Sequence, residues 1–380
     1  SLMKNNSGNN SWPLVSIVII NARGTSLLDL CLKTVTKTKY PKFEIIVVDC
    51  LSSNVEKWTR ENYPGVKVLH FDQDIGSSAS HNVSLRLAKG SYLAFLDNDV
   101  LVDPYWLTEL IKVLESDLSI GVVQSKILNY NDRPHSIDSA GDFIDYYGNG
   151  YRLGLGEQDK GQFDRKRSIF SARGAAMAVR RKVFEEVFMF DEDFFVYLDD
   201  ADFGWRVRLR GYDIVLVPRS VVYHAAGSTI RKRATFVTFH NSKNKIAMLI
   251  KNYNMCNLAR YIIPCIIVTM GLSFLWLFKG EKNMAISYVK ATVWNLLHLK
   301  KTWRKRLRIQ CHLRKKSDST IKSLMLRTSI STLIRLFLYG LRYDYETAIK
   351  YASKQLAYGK KDIEYPISTR ANCALWINVP

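Results

Sequence analysis

The sequence has few of the features that would indicate a disulfide-stabilised protein or a common nucleotide-binding loop. Its six cysteines include no Cys-x-x-Cys pair, which disfavours a disulfide framework and favours a reducing compartment. No Gly-x-Gly-x-x-Gly follows the first predicted strand, and no Gly-x-x-x-x-Gly-Lys-Ser/Thr occurs. A dinucleotide-binding fold and a P-loop enzyme therefore both lose support.

Acidic residues are scarce in the last part of the chain. Residues 1–230 carry 27 basic and 29 acidic side chains, whereas residues 231–380 carry 28 basic and 6 acidic ones. The formal net charge of +20 thus arises in the last 150 residues, which indicates a boundary and a C-terminal region suited to an anionic partner. With 380 residues, 47% of them hydrophobic, the chain can bury a sizeable core.

Strands and helices alternate after an N-terminal segment that has neither. Residues 1–13 lack the apolar core of a signal peptide and are predicted to be disordered, their first residues being a remnant of expression. Continuous apolar runs predict strands, and apolar residues at helical spacing predict helices. The predicted strands are 15–20, 41–50, 66–71, 92–96, 120–128 and 213–224, and the predicted helices are 26–37, 78–90, 104–116 and 199–210. This order predicts a mostly parallel sheet, which binds ligands beyond the carboxyl ends of its strands.

Acidic side chains stand where two of these strands end. Asp97, Asn98 and Asp99 follow the strand "YLAFL", and Asp49 follows "EIIVV". Two carboxylates one residue apart repel each other, and a divalent cation that also binds a diphosphate would offset this repulsion. The alternative for the Asp97–Asp99 pair is an Asx turn, and for Asp49 it is a simple cap.

A second acidic group opens the predicted helix 199–210. Asp199, Asp200 and Asp202 lie in its first turn, where the helix dipole favours negative charge. A carboxylate at such a helix start can also act as a general base toward a hydroxyl. The residues alone leave both interpretations open. His224, at the end of the last strand, is either a ligand or a structural histidine. The Gly- and Asp-rich stretch 129–168 is long enough to be functional or mobile.

Taken together, these segments resemble the family 2 glycosyltransferases of the GT-A fold over residues 14–255. The matching pieces are "VSIVIIN", "EIIVVDCLSS", "IGSSASHNVSLRLAKGSYLAFLDNDV", "SARGAAMAVRRKVFEEV", "FDEDFFVYLDDADFGWRVRLRGY" and "VPRSVVYHAAGS". The resemblance implies an α/β GT-A fold with a central, mostly parallel sheet. It also implies a nucleotide-sugar-binding half at 14–125 and an acceptor-binding half at 126–255.

The resemblance also assigns roles to individual residues. The nucleotide-sugar-binding set would be Asn21, Asp49, Asp97, Asn98, Arg173 and Gly174. The ligands of Mg²⁺ or Mn²⁺ would be Asp97, Asp99 and His224. Asp200 would be the catalytic base, with Asp199 where relatives have Glu, and Asp202 and Arg206 would shape the same helix. The implied reaction is a metal-dependent, inverting transfer of a hexosyl type.

Two departures from the family pattern touch the nucleotide pocket. Ala22-Arg23 replaces the usual Tyr-Asn, and residues 50–54 replace the usual Asn-Gly-Ser-Thr-Asp turn. These changes leave the bound base open. The Gln-x-x-Arg-Trp motif of processive relatives is absent, which favours transfer of a single sugar.

The basic C-terminal region 256–380 is predicted to be helical and membrane-associated. Residues 261–278 form an uncharged stretch of 18 residues, which is barely long enough to span a bilayer. Basic amphipathic patterns follow at 285–316 and 321–343, with tryptophans among the cations, as in helices lying on anionic lipid. We expect a monotopic or re-entrant element. A single span is the second choice, and a helical appendage packed on the catalytic domain is the plain alternative.

These features predict a cytoplasmic, membrane-associated enzyme similar to rhamnosyltransferases. It would use a nucleotide-diphosphate sugar and a polyprenyl-linked saccharide acceptor in lipid-linked glycan assembly, and it could form a homo-oligomer. No recognition motif supports a nucleic-acid partner. The alternatives are a non-catalytic nucleotide-sugar-binding membrane scaffold and a nucleotidyltransferase.

Overall fold

A ten-stranded sheet lies at the centre of the structure, a computed structural model that describes residues 12–22, 24–225 and 234–328. The strands are β1 (Val15–Ala22), β2 (Phe43–Cys50), β3 (Lys67–Phe71), β4 (Tyr92–Asp97), β5 (Val100–Val102), β6 (Ile120–Asn129), β7 (Ile137–Ser139), β8 (Asp142–Ile144), β9 (Gly150–Arg152), β10 (Arg167–Ser168), β11 (Ala176–Arg180) and β12 (Asp213–His224). Strands β8 and β9 form a separate antiparallel pair. The six strands predicted from apolar runs correspond to β1–β4, β6 and β12.

The sheet is parallel on one side and mixed on the other. Its main order is β10-β12-β6-β11-β4-β1-β2-β3. The four strands β3, β2, β1 and β4 run parallel, and β6 and β12 also run parallel to each other. Strand β11 lies between these groups and is antiparallel to both β4 and β6. The α/β fold class is confirmed, and β11 is where the predicted parallel order reverses.

Helices cover both faces of the sheet because its strands bury side chains alternately on each side. The helices are α1 (Ser26–Val35), α2 (Val55–Asn62), α3 (Gly76–Val83), α4 (Trp106–Ser116), α5 (Arg181–Glu186), α6 (Asp199–Arg210), α7 (Ala234–Asn252), α8 (Met255–Phe278), α9 (Lys282–Leu297), α10 (Leu299–Arg308) and α11 (Asp318–Leu324). Residues of α1 and α4 share one apolar core with Ile17 and Ile19 of β1. Residues of α5, α6, α7 and α8 share the other core with Val18.

Two predicted helices are shorter in the structure. The helix predicted at 78–90 ends at Val83 and tightens into a 3₁₀ turn at Ser84–Arg86. The Ser84 hydroxyl donates to the carbonyl of His81 at 2.6 Å, which is a local hydrogen bond that competes with regular helix. The helix predicted at 321–343 is confirmed over 321–324, where α11 ends, and is wrong over 325–328, which are not helical. Residues 329–343 lie outside the described ranges.

The C-terminal helices are joined to the sheet domain by a buried ionic cluster. Lys251 of α7 is 1% exposed and lies 3.1 Å from the carboxylate of Asp202 in α6. Asp202 also accepts from Arg206 at 3.0 Å, and Lys251 bonds Asp191 as well. Lys305 of α10 bonds the same Asp191. Part of the basic excess is therefore neutralised within the fold.

The helices α8, α9 and α10 leave an apolar face exposed. Within the described ranges, α8 is the one helix long and apolar enough to cross a membrane, which by itself is weak evidence of a span. The exposed face consists of Ile263, Ile267, Phe274, Leu277, Phe278, Ile286, Val289, Val293, Leu296, Leu297, Leu299, Trp303 and Leu307. The opposite side of α8 is buried at Tyr261 and Cys265, in the core shared with the sheet. The helix thus has one side packed on protein and one side open.

We predict that Lys251→Met destabilises the protein by about 3–5 kcal/mol, because it removes the buried cation that Asp202 and Asp191 share. Each acid is then left with one charged partner, Arg206 and Lys305 respectively. Chemical denaturation of the full chain measures this loss. Lys33→Met is the control, since the Lys33 side chain is 61% exposed in its pair with Asp29, and it should cost less than about 1 kcal/mol. Equal stability of the two variants would contradict a structural role for the cluster.

Candidate active site

The carboxyl ends of β1, β2 and β4 bring three predicted residues into one hydrogen-bonded chain. Asn21 lies opposite Asp49 in the register of β1 and β2. The Asn21 amide donates to Asp49 Oδ1 at 2.5 Å, and its oxygen accepts from Asn98 at 2.6 Å. This chain crosses three neighbouring strands at the edge where a parallel sheet binds its ligands.

Asp49 is fully buried and already has several donors. Its carboxylate accepts from the Ser52 hydroxyl at 2.6 Å and from the Ser52 amide at 3.2 Å. It is also 2.8 Å from Nδ1 of His70. The hydrogen bond to Asp49 raises the pKa of His70. Because the His70 side chain is 25% exposed and that of Asp49 is 0% exposed, His70 is the accessible end of this pair.

Asp99 and His224 lie together beside this edge. His224 Nε2 is 3.3 Å from Asp99, and its Nδ1 is 3.4 Å from Asp138. Although burial opposes the change, hydrogen bonds to Asp138 and Asp99 raise the pKa of His224 to about 10. Buried Oδ1 of Asp99 has no hydrogen-bond partner among the described residues.

The donor set fits a hard divalent cation, but its members are not gathered around one point. Two carboxylates (Asp97 and Asp99) and an imidazole offer the oxygen and nitrogen ligands that Mg²⁺ or Mn²⁺ accepts, and the orphan oxygen of Asp99 is available. In the ranges that the structure describes, no cluster of three or more His, Cys, Asp or Glu side chains has the geometry to hold a metal ion.

A cavity of about 570 Å³ lies between the end of β4 and the first turn of α6. It brings together half of the predicted site residues, namely Asp97, Arg173, Gly174, Asp199 and Asp200. The residues that line it do not include Asn21, Asp49, Asn98, Asp99 or His224. The two acidic groups found in the sequence, at 97 and at 199–200, therefore face one crevice.

The crowding of carboxylates changes their acidity. Burial, followed by the charges of Asp199 and Asp142, raises the pKa of Asp200 to about 7. Burial and the charge of Asp99 raise the pKa of Asp97 to about 6. The guanidinium of Arg173 is 3.7 Å from Asp142, and its charge lowers the pKa of Asp200 against these effects.

The backbone before α6 is held in an unusual conformation that sets the position of the two acids. Phe195, Tyr197 and Leu198 have positive φ angles of 66°, 67° and 56°, which non-glycine residues rarely adopt. Fully buried Asn244 of α7 donates to the carbonyls of Phe194, Val196 and Tyr197 at 2.8–3.0 Å. These bonds offset the local strain.

Asp199 and Asp200 have different surroundings although they are neighbours. The Asp199 carboxylate accepts from the hydroxyls of Ser77 at 2.9 Å and Ser78 at 3.1 Å, which ties α6 to the start of α3. Asp200 accepts only from the amide of Ala201, at 2.7 Å, among the bonds that the structure describes. Asp199 is thus a positioning residue, and Asp200 retains capacity for a proton.

Several cavity residues were missed from the sequence. They are His81, Asp142, Arg152 and Lys245 in the cavity, with Asp138 beside it. Arg152 donates to Asp138 at 2.8 Å, and both come from the Gly- and Asp-rich stretch whose function was predicted but whose residues were not. Buried Nε2 of His81 has no partner among the described residues. Lys245 lies in a helix with no motif, so nothing local indicated it.

The sheet with its reversed strand β11 and the acid-rich edge at β4 defines a GT-A-type α/β fold. A solved structure titled GalNAc-T7 with UDP, GalNAc and Mn²⁺ superposes on 75% of this chain and 57% of its own, with a TM-score of 0.55 at 18% identity. At this identity the likeness supports the fold alone.

The family model described as "Glycosyltransferase like family 2" matches residues 13–240. The chain belongs to this family, and the predicted resemblance is confirmed.

Two curated relatives have informative names. The O-antigen biosynthesis protein RfbC of Myxococcus xanthus is 28% identical over 236 residues, which are 58% of this chain and 18% of the relative. The N-acetylglucosaminyl-diphospho-decaprenol L-rhamnosyltransferase of Mycobacterium tuberculosis is 38% identical over 74 residues, which are 19% of this chain and 24% of the relative. The matches thus cover about a fifth to a quarter of these relatives' length.

We predict that Asp200→Asn stabilises the protein at alkaline pH. The pKa of Asp200 is about 7 in the folded state and about 3.9 in the unfolded state. Ionised Asp200 therefore destabilises the folded protein, and this destabilisation is absent below about pH 4 and reaches its full size above about pH 7. Removing the charge should raise the free energy of unfolding at pH 8 by something on the order of 2–4 kcal/mol, and the gain should vanish near pH 4. Denaturant unfolding across this range measures it.

The control is Asp132→Asn, because Asp132 is exposed and lies outside the cavity. A gain that is the same at both pH values, or the same in the control, would contradict the assignment of a crowded, buried carboxyl to Asp200.

Proposed function

We propose that this chain is an inverting glycosyltransferase that moves one sugar from a nucleotide-diphosphate sugar to a hydroxyl of a lipid-linked saccharide. The observation that carries the proposal is Asp200, whose pKa of about 7 in a cavity shared with Asp97 suits a base that works near neutral pH. Family membership supports the sugar-transfer chemistry, and the strand-end location of Asp97 supports the nucleotide side.

In the proposed reaction, Asp200 accepts the proton of the acceptor hydroxyl. The acceptor oxygen then attacks the anomeric carbon on the face opposite the nucleotide, and the bond from that carbon to the diphosphate oxygen breaks. The nucleoside diphosphate leaves with the bonding electron pair. Arg173 and Arg152 provide positive charge in the cavity for the leaving diphosphate, and Asp199 keeps α6 in register through Ser77 and Ser78.

The donor nucleotide is assigned to the edge formed by β1, β2 and β4. Asn21, Asp49 and Asn98 form the rigid inner surface of this nucleotide site. His70, which is hydrogen-bonded to Asp49, contacts the base of the nucleotide. Gly174 lies beside the imidazole of His81 in the cavity. The hydrogen bonds that join Asn21, Asp49 and Asn98 support a pre-organised nucleotide site.

Asp97, Asp99 and His224 would hold Mg²⁺ or Mn²⁺. When bound, such an ion neutralises the diphosphate and stabilises the leaving group. Support comes from the chemistry of the donor set and from the Mn²⁺ named in the GalNAc-T7 structure.

The exposed apolar face of α8, α9 and α10 is proposed to lie in the cytoplasmic surface of a membrane. Monomeric soluble proteins rarely expose large contiguous apolar patches, and Lys290, Lys300 and Arg304 are exposed on the same helices, as anionic lipid requires. Because Tyr261 and Cys265 of α8 are buried in the catalytic core, a monotopic attachment is favoured over a span. The decaprenol named in one relative supports a polyprenyl-linked acceptor.

We predict that Asp200→Asn lowers sugar transfer by about 10²–10⁴-fold, because it removes the general base, while donor binding persists. The donor is first found by screening nucleotide sugars for thermal stabilisation, which reports binding by mass action. Product assays with that donor then compare the variant with Asp132→Asn, which should keep wild-type turnover. Transfer near the wild-type rate in Asp200→Asn would remove the proposed base. Release of pyrophosphate would instead indicate a nucleotidyltransferase.

We also predict that dialysis against a chelator abolishes transfer and that Mg²⁺ or Mn²⁺ restores it. In Asp99→Asn the metal concentration for half-maximal activity should rise about tenfold or more, because one proposed ligand loses its charge. Asp132→Asn should leave that concentration unchanged. Full activity in the chelator would show that Asp97, Asp99 and His224 serve another purpose.

A further inference from the structure

The catalytic cavity does not end at the polar groups described above. Beyond Asp200 its wall continues along α7 and then along α8 and α9, where it is formed by Cys265, Val268, Leu272, Trp276 and Tyr288. One cavity therefore joins the proposed base to the hydrophobic helices of the C-terminal region. Neither the nucleotide nor the sugar of a donor accounts for an apolar end of this kind.

The apolar wall and the exposed face are different stripes of the same helix. Val268, Leu272 and Trp276 are spaced by four residues and are half-buried at the cavity, as one face of a helix requires. Ile267 and Phe274 are 64% and 60% exposed. Ile267 and Leu272 are five residues apart, which is about 140° around the helix. The helix thus presents one apolar stripe to the cavity and another to the surroundings.

The cavity that contains the acidic and apolar ends also contains a cation on α7. Lys245 of α7 lines the cavity and donates to the neutral amide oxygen of Asn149 at 3.1 Å. It forms no ion pair with a carboxylate in the described ranges, whereas Lys251 on the same helix is bonded to two. The charge of Lys245 also lowers the pKa of buried Asp145, against the larger effect of burial. A half-buried ammonium that is hydrogen-bonded to an amide, and not directly to a carboxylate, is suited to an anionic ligand group.

We propose that this part of the cavity is the acceptor's phosphate and lipid subsite. The tail of a phosphate-linked lipid lies along Val268, Leu272 and Trp276, the phosphate pairs with Lys245, and the attached sugar reaches Asp200. The apolar wall, the cation and the base of this one cavity suit the tail, the phosphate and the sugar of such a molecule. The inference rests on the proposed glycosyl transfer for the sugar end, but tail and phosphate binding can be measured without turnover.

The test uses farnesyl diphosphate as the probe, titrated into the full chain by calorimetry below its micelle concentration. Leu272→Gln makes the cavity stripe polar, and Ile267→Gln is the same class of change on the exposed stripe. Lys245→Gln removes the cavity cation, and Lys290→Gln removes an exposed one on α9. We expect the Kd to rise at least tenfold in Leu272→Gln and Lys245→Gln and to stay within about twofold in the two controls.

Two further probes separate the tail from the phosphate. Farnesol should bind more weakly than farnesyl diphosphate and should lose affinity in Leu272→Gln but not in Lys245→Gln. Pyrophosphate should show the reverse. Wild-type affinity for farnesyl diphosphate in both cavity variants would overturn the inference, and so would equal losses in test and control variants, which would indicate adsorption to the exposed face. Lys245→Gln keeps the test decisive if Leu272→Gln fails to fold.

The outcomes also distinguish this inference from the proposed function. Tail and phosphate binding of the expected pattern without any sugar transfer would retain the subsite and remove the enzyme activity. Sugar transfer that is equal in wild type, Leu272→Gln and Lys245→Gln with a lipid-linked acceptor would retain the activity and remove the subsite.

Discussion

Electrostatic repulsion among carboxylates in one confined cavity is the constraint on which the rest of the structure depends. Asp97, Asp142, Asp199 and Asp200 line the same space with Arg152 and Arg173, so the acids outnumber the guanidinium groups. Burial and mutual repulsion raise the pKa values of Asp97 and Asp200, which is unfavourable for folding at neutral pH. Such a cluster of buried carboxylates is kept only when other interactions stabilise the fold around it. In return, the site gains a general base and an affinity for cations.

Those interactions come largely from α7. Asn244 bonds the strained loop before α6, and Lys251 pairs with Asp202 inside α6. Lys245, between them on the same helix, lines the cavity. A single helix therefore stabilises the segment that carries the cavity acids and also forms a wall of the cavity. Residues of α8 and α9 line the same cavity, so this part of the C-terminal region contributes to the candidate site and is more than an appendage.

The sequence predicted the parts of the site that depend on local pattern. Acids at a strand end or in a helix's first turn are visible in one segment, so Asp97, Asp99, Asp199 and Asp200 were found, and the structure places both groups near one cavity. Asp142 and Lys245 were not found, because their roles arise from contacts between distant segments. The reversal at β11 was missed for a similar reason, since a buried strand has the same apolar run in either direction.

The two stripes of α8 give the enzyme a fixed geometry relative to its surroundings. One stripe forms the cavity wall and the other faces outward, so the cavity and the surrounding lipid would be separated by one helix diameter, about 10 Å. Only a sugar next to the anchor could then meet the base. Each added sugar would place the new end of the glycan farther from the base, so the position of α8 would limit the enzyme to the transfer of one sugar.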